Sequence, residues 1–203
     1  MFGLGKKELK IFKKLNTPAK IQDFLNQMPF NFEKNGETDF SPMLVLEKKI
    51  CHCTEGAVLA ALILRLHGYP PLLLDLTANK NDLDHVVAVY QKNGFWGAIS
   101  KTNHSVLRYR EPVYDSIREL AMSYFHEYFD NQGRKTLRSF SPAVNLQCFD
   151  KLNWMTTKGE IDYIPEYLAK VKHFPILNRK QIRNLRKAEP IEIEAGKIIE
   201  WKK

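Results

Sequence analysis

A single cysteine at the head of an apolar run is the residue in this chain best placed to do chemistry. Cys53 opens the stretch Cys53-Thr54-Glu55-Gly56-Ala57, which continues through Val58 to Leu66 and stops at His67-Gly68-Tyr69-Pro70. A thiol at a helix start meets unpaired backbone N–H groups and the positive end of the helix dipole. Both favour thiolate, and both can hold an oxyanion that develops next to it. Downstream, Asp84-His85 leads a strand-like run, Val86-Val87-Ala88-Val89-Tyr90. A cysteine and a distant histidine are the minimal parts of a thiol nucleophile and its base. The plainer alternative is a small core cysteine and a polar strand edge, which needs no chemistry at all.

Spacing adds to this pair. An alanine follows Cys53 by four residues (Ala57), a glycine by fifteen (Gly68) and a proline by seventeen (Pro70). In this set of spacings the chain resembles the transglutaminase-like superfamily, in which a helix begun by the nucleophilic cysteine ends in a Gly-aliphatic-Pro turn. The approach Val45 to Cys53, the segment Asp84 to Tyr90, the turn Lys92-Asn93-Gly94 and the segment Phe95 to Asn103 resemble the family's successive pieces. The resemblance covers residues 17 to 103. It implies Cys53 as nucleophile and His85 as base, with His85 rather than His52, His67 or His104 beside the sulfur. It also implies acyl transfer through a thioester, on a peptide or protein carboxamide.

Two positions depart from the family pattern. Cys51 stands where a glycine is usual, and Ser100 stands where the family has the aspartate that orients the histidine. Serine can accept from an imidazole N–H but brings no charge, and loss of a triad carboxylate is costly. Asn103 is the alternative orienter, since amides serve in that role at papain-like sites. Strand alternation puts Ser100 and Asn103 on opposite faces, so one of the two is expected at the ring. Asp75 and Asp84 are weaker candidates; Asp84 adjoins His85, and neighbouring strand residues point apart.

These residues need elements to hold them. Thr17-Pro18 reads as a helix cap and first turn. Leu72 to Leu76 reads as a buried strand, and Val86 to Gln91 with Phe95 to Ile99 as a hairpin around Asn93-Gly94. Glu111-Pro112 is expected to start a helix reaching Tyr128. Farther on, helices are expected over 163–171 and 180–187, and the alternation at Ile191-Glu192-Ile193-Glu194 suggests a terminal hairpin. The expected fold is α+β: a papain-like or transglutaminase-like core, its cysteine helix packed on an antiparallel sheet, over residues 1–130. Residues 131–203 are expected to form a C-terminal α/β extension packed on that core.

The 203 residues are 44% hydrophobic, enough for one core. Three cysteines, Cys51, Cys53 and Cys148, give no disulfide framework. No second ligand pair accompanies Cys51-His52-Cys53, so no metal is expected, and no cofactor. The amino terminus lacks the pattern of a signal peptide, and Val58–Leu66 is too short to span a bilayer, so a cytoplasmic protein is the expectation. The formal charge is +8, with lysines and arginines clustered near both ends. A solvated basic face explains these better than nucleic acid, for which there is no motif. The functional expectation is a cysteine-dependent amidase, peptidase or transglutaminase. The alternatives are a catalytically inactive binding module on the same fold, and a basic adaptor for nucleic acid or a membrane surface.

Overall fold

The computed structural model describes residues 2–203. Three short helices precede the cysteine segment: α1 (Lys6–Phe12), α2 (Pro18–Asn26) and α3 (Pro42–Lys48). Each of the last two has proline in its first turn and a hydroxyl cap before it. Thr17 accepts from the Lys20 N–H, and Ser41 from the Leu44 N–H, which satisfies donors that a helix start leaves orphaned. Helix α4 (Cys53–Leu66) follows, and every residue from Thr54 to Leu64 is buried. A helix apolar all round belongs in the centre of a core. It ends where Gly68 takes up φ +88°, a left-handed conformation that glycine adopts without strain.

The sheet comes next: β1 (Leu72–Ala78), β2 (His85–Lys92), β3 (Phe95–Ile99) and β4 (Arg110–Tyr114). Asn93 and Gly94, at φ 54° and 86°, form the tight turn that the Asn-Gly pair predicts between β2 and β3. After α5 (Ile117–Ser123) come β5 (Leu137–Phe140), β6 (Val144–Asn145), α6 (Tyr163–Lys170), β7 (Phe174–Pro175), α7 (Arg179–Arg183) and α8 (Pro190–Gly196). The strands form one antiparallel sheet in the order β4-β3-β2-β1-β5-β7, with β6 also pairing β1. The protein is therefore of the α+β class. Residues 131–203 supply β5, β6 and β7 to the same sheet that carries β1 to β4.

Alternation along the strands divides the interior into two clusters. Leu73, Val86, Ala88, Tyr90 and Ile99 join α4 in one. Leu74, Leu76, Val87, Val89 and Ala98 pack with Leu120, Ala121 and Tyr124 of the α5 region in the other. Burying each large aliphatic side chain of α4 contributes about 1.5–3 kcal/mol as an upper value. The cysteine at its start is thus carried on a helix buried from Thr54 to Leu64.

Three local expectations are corrected. Glu111-Pro112 does not open a helix; it lies in β4, an edge strand, where a missing N–H breaks no central ladder. The helix begins six residues later, behind Ser116, whose hydroxyl accepts from the Glu119 N–H. The segment at Ile191 is not a hairpin but α8, because Pro190 sits in its first turn and Glu189 and Glu192 form a reciprocal capping box. The basic helix expected over 180–187 is the single turn and a half of α7. Among the described residues no helix is long and apolar enough to cross a membrane.

Candidate active site

Cys53 is the first residue of α4, and His52 is its cap. The His52 N–H donates to Glu55 Oε2 at 2.8 Å, and the Thr54 N–H donates to His52 Nδ1 at 3.2 Å. The Glu55 carboxylate is buried and well supplied with donors. It accepts from the Asn31 amide at 3.1 Å, the Thr38 hydroxyl at 2.9 Å and the Phe40 N–H at 3.0 Å. That set ties the first turn of α4 to the loop over residues 31–40 and fixes the direction in which the thiol leaves the helix.

Cys53 and His85 line one cleft of about 510 Å³, together with Phe30, Phe32, Tyr128 and Ile193. Cys53 Sγ has the Thr54 hydroxyl at 3.9 Å. Burial alone would push the Cys53 thiol up. The influence of His52, and then of His85, outweighs burial and holds the thiol well below its ordinary range. Cys51, by contrast, is fully buried, and burial pushes its thiol up to about 12.

His85 is the first residue of β2. Its Nε2 lies 2.8 Å from Ser100 Oγ, and the Ser100 hydroxyl donates to the Leu107 carbonyl at 2.5 Å. These two contacts together assign the proton positions. A hydroxyl has one hydrogen, and Ser100 spends it on Leu107. Toward His85 it can only accept, so Nε2 carries the ring's proton and Nδ1 keeps its lone pair. The buried Gln22 amide steadies Ser100 from the backbone side: its Oε1 accepts from the Ser100 N–H at 2.9 Å, and its Nε2 donates to the Ser100 carbonyl at 2.8 Å.

Asn103 is not at the ring. Its amide donates to the Trp201 carbonyl at 3.0 Å and its Oδ1 accepts from the Trp201 N–H at 2.9 Å. It pins the tail after α8 instead of orienting His85. Register gives the reason. Val89 pairs with Ala98 and Ala88 with Ile99, so Ser100, the next residue, shares the side-chain parity of Val87 and His85, whereas Asn103 lies four residues beyond the end of β3. Asp84 accepts from the Ala78 N–H at 2.8 Å. Asp75 pairs with His173 at 3.0 Å, and burial raises its pKa.

His52, the residue before Cys53, lowers the pKa of the thiol as His85 does. His52 Nε2 faces three acceptors: the Thr38 carbonyl at 2.8 Å, Glu55 Oε1 at 3.4 Å and Glu33 Oε1 at 3.9 Å. Burial lowers its pKa, but the Cys53 sulfur, Glu55 and Thr38 outweigh that and raise it to about 9. Adding a proton at Nδ1 would break the bond from the Thr54 N–H and turn that nitrogen into a donor. The remaining candidates are occupied elsewhere, His67 at the Phe12 carbonyl and His104 at the Gly196 carbonyl. His52 and Glu55 were both missed as site residues. The signal was present, because Glu stands three residues after the residue before the helix, the capping-box spacing.

Lys101 is buried behind the site. Its ammonium donates to the Leu25 carbonyl at 3.1 Å and the Met28 carbonyl at 2.5 Å, and burial lowers its pKa. Among the described residues no group of three or more His, Cys, Asp or Glu side chains is arranged to hold a metal ion. No protein-family model matches the chain, and no curated protein matches it in sequence.

Proposed function

We propose that this protein is a thiol enzyme of the transglutaminase-like type, acting on a carboxamide or peptide bond through a thioester on Cys53. The observation that carries the reading is the His85–Ser100–Leu107 chain of hydrogen bonds at the cleft that holds Cys53. It leaves His85 Nδ1 as the ring's proton-accepting nitrogen.

In this reading the Cys53 thiolate attacks the carbonyl carbon, and the oxygen takes up negative charge near the N-terminus of α4. As the C–N bond breaks, the imidazolium of His85 gives its Nδ1 proton to the leaving amine. Water or a second amine then attacks the thioester, and His85 takes the proton it loses. The C–S bond breaks and the thiolate is restored. His52, flanked by Glu55 and Glu33, supplies positive charge beside the thiolate while His85 moves the proton.

The test is release of ammonia or amine from glutamine-containing peptides and small carboxamides. Turnover by the parent that is abolished in Cys53→Ala and in His85→Gln supports the reading. Full turnover in Cys53→Ala ends it. A second reading, an inactive binding module on the same scaffold, is favoured by the neutral Ser100 at the place of a charged orienter. A thiol no more reactive than that of Cys148 would favour it further.

A further inference from the structure

Next to the thiol cleft lies a second cavity, of about 450 Å³, whose chemistry is different. The rings of Phe30, Phe32, Phe40 and Trp201 make it apolar. Lys34, Lys48 and Lys202 stand around it, all three exposed. Among the described residues none of these lysines forms an ion pair with a carboxylate. Lys48 Nζ instead sits 5.2 Å from the centre of the Phe40 ring. The cavity has one carboxylate, Glu33, and its Oε1 is committed to the Thr38 N–H at 2.8 Å.

The indole of Trp201 adds an independent observation. Its Nε1–H is buried and has no acceptor. Buried donors without partners are few in folded proteins, and each calls for an explanation. The backbone of Trp201 is fixed by Asn103 at two points, so the indole is held in place by the fold rather than left on a free tail. The backbone of Pro29 and Asn31, also in the lining, is held too: the Asn31 N–H donates to the Cys51 carbonyl at 3.2 Å, and the Cys51 N–H to the Pro29 carbonyl at 3.3 Å.

We propose that this cavity binds an organic anion, a carboxylate or phosphate carried on an apolar body. The aromatic walls take the body and the lysines hold the charge, with the Trp201 indole as part of the wall. An uncharged ligand of the same shape would leave the lysines unused. Phe30 and Phe32 line both cavities, so the anion sits beside the approach to Cys53. Binding itself does not depend on thiol chemistry.

The test uses nitrogen-15-labelled protein, parent and Cys53→Ala. The chain has three tryptophans, giving three indole signals, and Trp201→Phe identifies the relevant one. The probes are 1-naphthoate, 1-naphthyl phosphate and the neutral 1-naphthamide. At least one anion should shift the Trp201 signal saturably, in parent and Cys53→Ala alike, at least about tenfold more tightly than the amide. Whichever anion binds more tightly names the charged group. The triple variant Lys34→Gln, Lys48→Gln, Lys202→Gln should weaken anion binding at least about tenfold and leave the amide unchanged. The proposal is overturned if neither anion moves the Trp201 signal, if the amide binds as well as the anions, or if the triple variant binds like the parent.

Discussion

Removing the Ser100 hydroxyl probes the one interaction that sets the tautomer of His85. Ser100 is buried, and Ser100→Ala leaves two groups without partners, the His85 Nε2–H and the Leu107 carbonyl. A buried unpaired polar group costs about 1–3 kcal/mol. Both His85 and Leu107 border the cleft, where water relieves part of the loss, so a total of about 2 kcal/mol is reasonable. For a chain of this size that lowers Tm by about 4–8 °C. The chemical cost is separate. A neutral hydrogen bond is worth about 0.5–1.5 kcal/mol net, and about 1.4 kcal/mol is tenfold in rate. Ser100→Ala should therefore slow alkylation of Cys53 by iodoacetamide, at about pH 6, up to about tenfold. That is far less than the ~10⁴-fold lost when a triad carboxylate is neutralised. Ser100→Thr should retain both properties. Ser100→Asp should not improve the site, because a carboxylate has no proton for the Leu107 carbonyl at 2.5 Å and would face it as a second acceptor. The assay is the pH dependence of alkylation, in a Cys148→Ser background, alongside thermal melts. Ser100→Ala with unchanged alkylation and unchanged Tm would refute the reasoning.

Other outcomes follow from single distances and charges. Gly56→Ala should destabilise, although alanine ordinarily favours a helix by about 1 kcal/mol over glycine. A Cβ there would stand 2.7 Å from Lys101 Cβ, and overpacking of this kind costs about 1–3 kcal/mol; a raised Tm would contradict this. Iodoacetamide at neutral pH should label Cys53 well before Cys51, whose thiol is pushed up to about 12 and is fully buried; peptide mapping decides, and preferential labelling of Cys51 would reverse the assignment. Burial raises the Asp39 carboxyl from 3.8 to about 6, with the Glu55 carboxylate adding to it and His52 opposing it. Its raised pKa means the folded state holds that proton more tightly. The stabilisation is full below 3.8 and is lost as pH rises through about 6. Asp39→Asn should therefore raise Tm above pH 6 and change it little below 3.8; thermal melts across that window check the sign.

The parts of this site legible in the sequence are those set by local spacing. Cys53 at the head of an apolar run, and Asn93-Gly94 between two β-rich segments, specify a helix start and a hairpin from short-range physics. The choice between Ser100 and Asn103 needed the register of β2 against β3 and the end of β3 at Ile99, both tertiary facts: Ser100 falls on the His85 side, and Asn103, farther on, is engaged by Trp201. Residues 111–128 misled because Pro112 suits either a helix start or an edge strand, and only the sheet order makes β4 an edge. At residues 190–194 alternation competed with Pro190 and the Glu189–Glu192 capping box, and the capping chemistry decided the helix. His52 was passed over because histidine is not a usual cap residue. Its surroundings combine Glu55, three residues on in α4, with Glu33 and Thr38, which the loop over 31–40 brings in from a distance.

The most direct measurement of the central claim is the mass and peptide map of the protein after brief exposure to p-nitrophenyl acetate at neutral pH. An activated ester needs no specific recognition, so the result reports on the nucleophile alone. The account predicts one acetyl group, on Cys53, that is lost on standing as water attacks the thioester. It predicts none on Cys53→Ala and slower formation in His85→Gln. Acetylation of Cys148 or of surface lysines while Cys53 stays unmodified would contradict it.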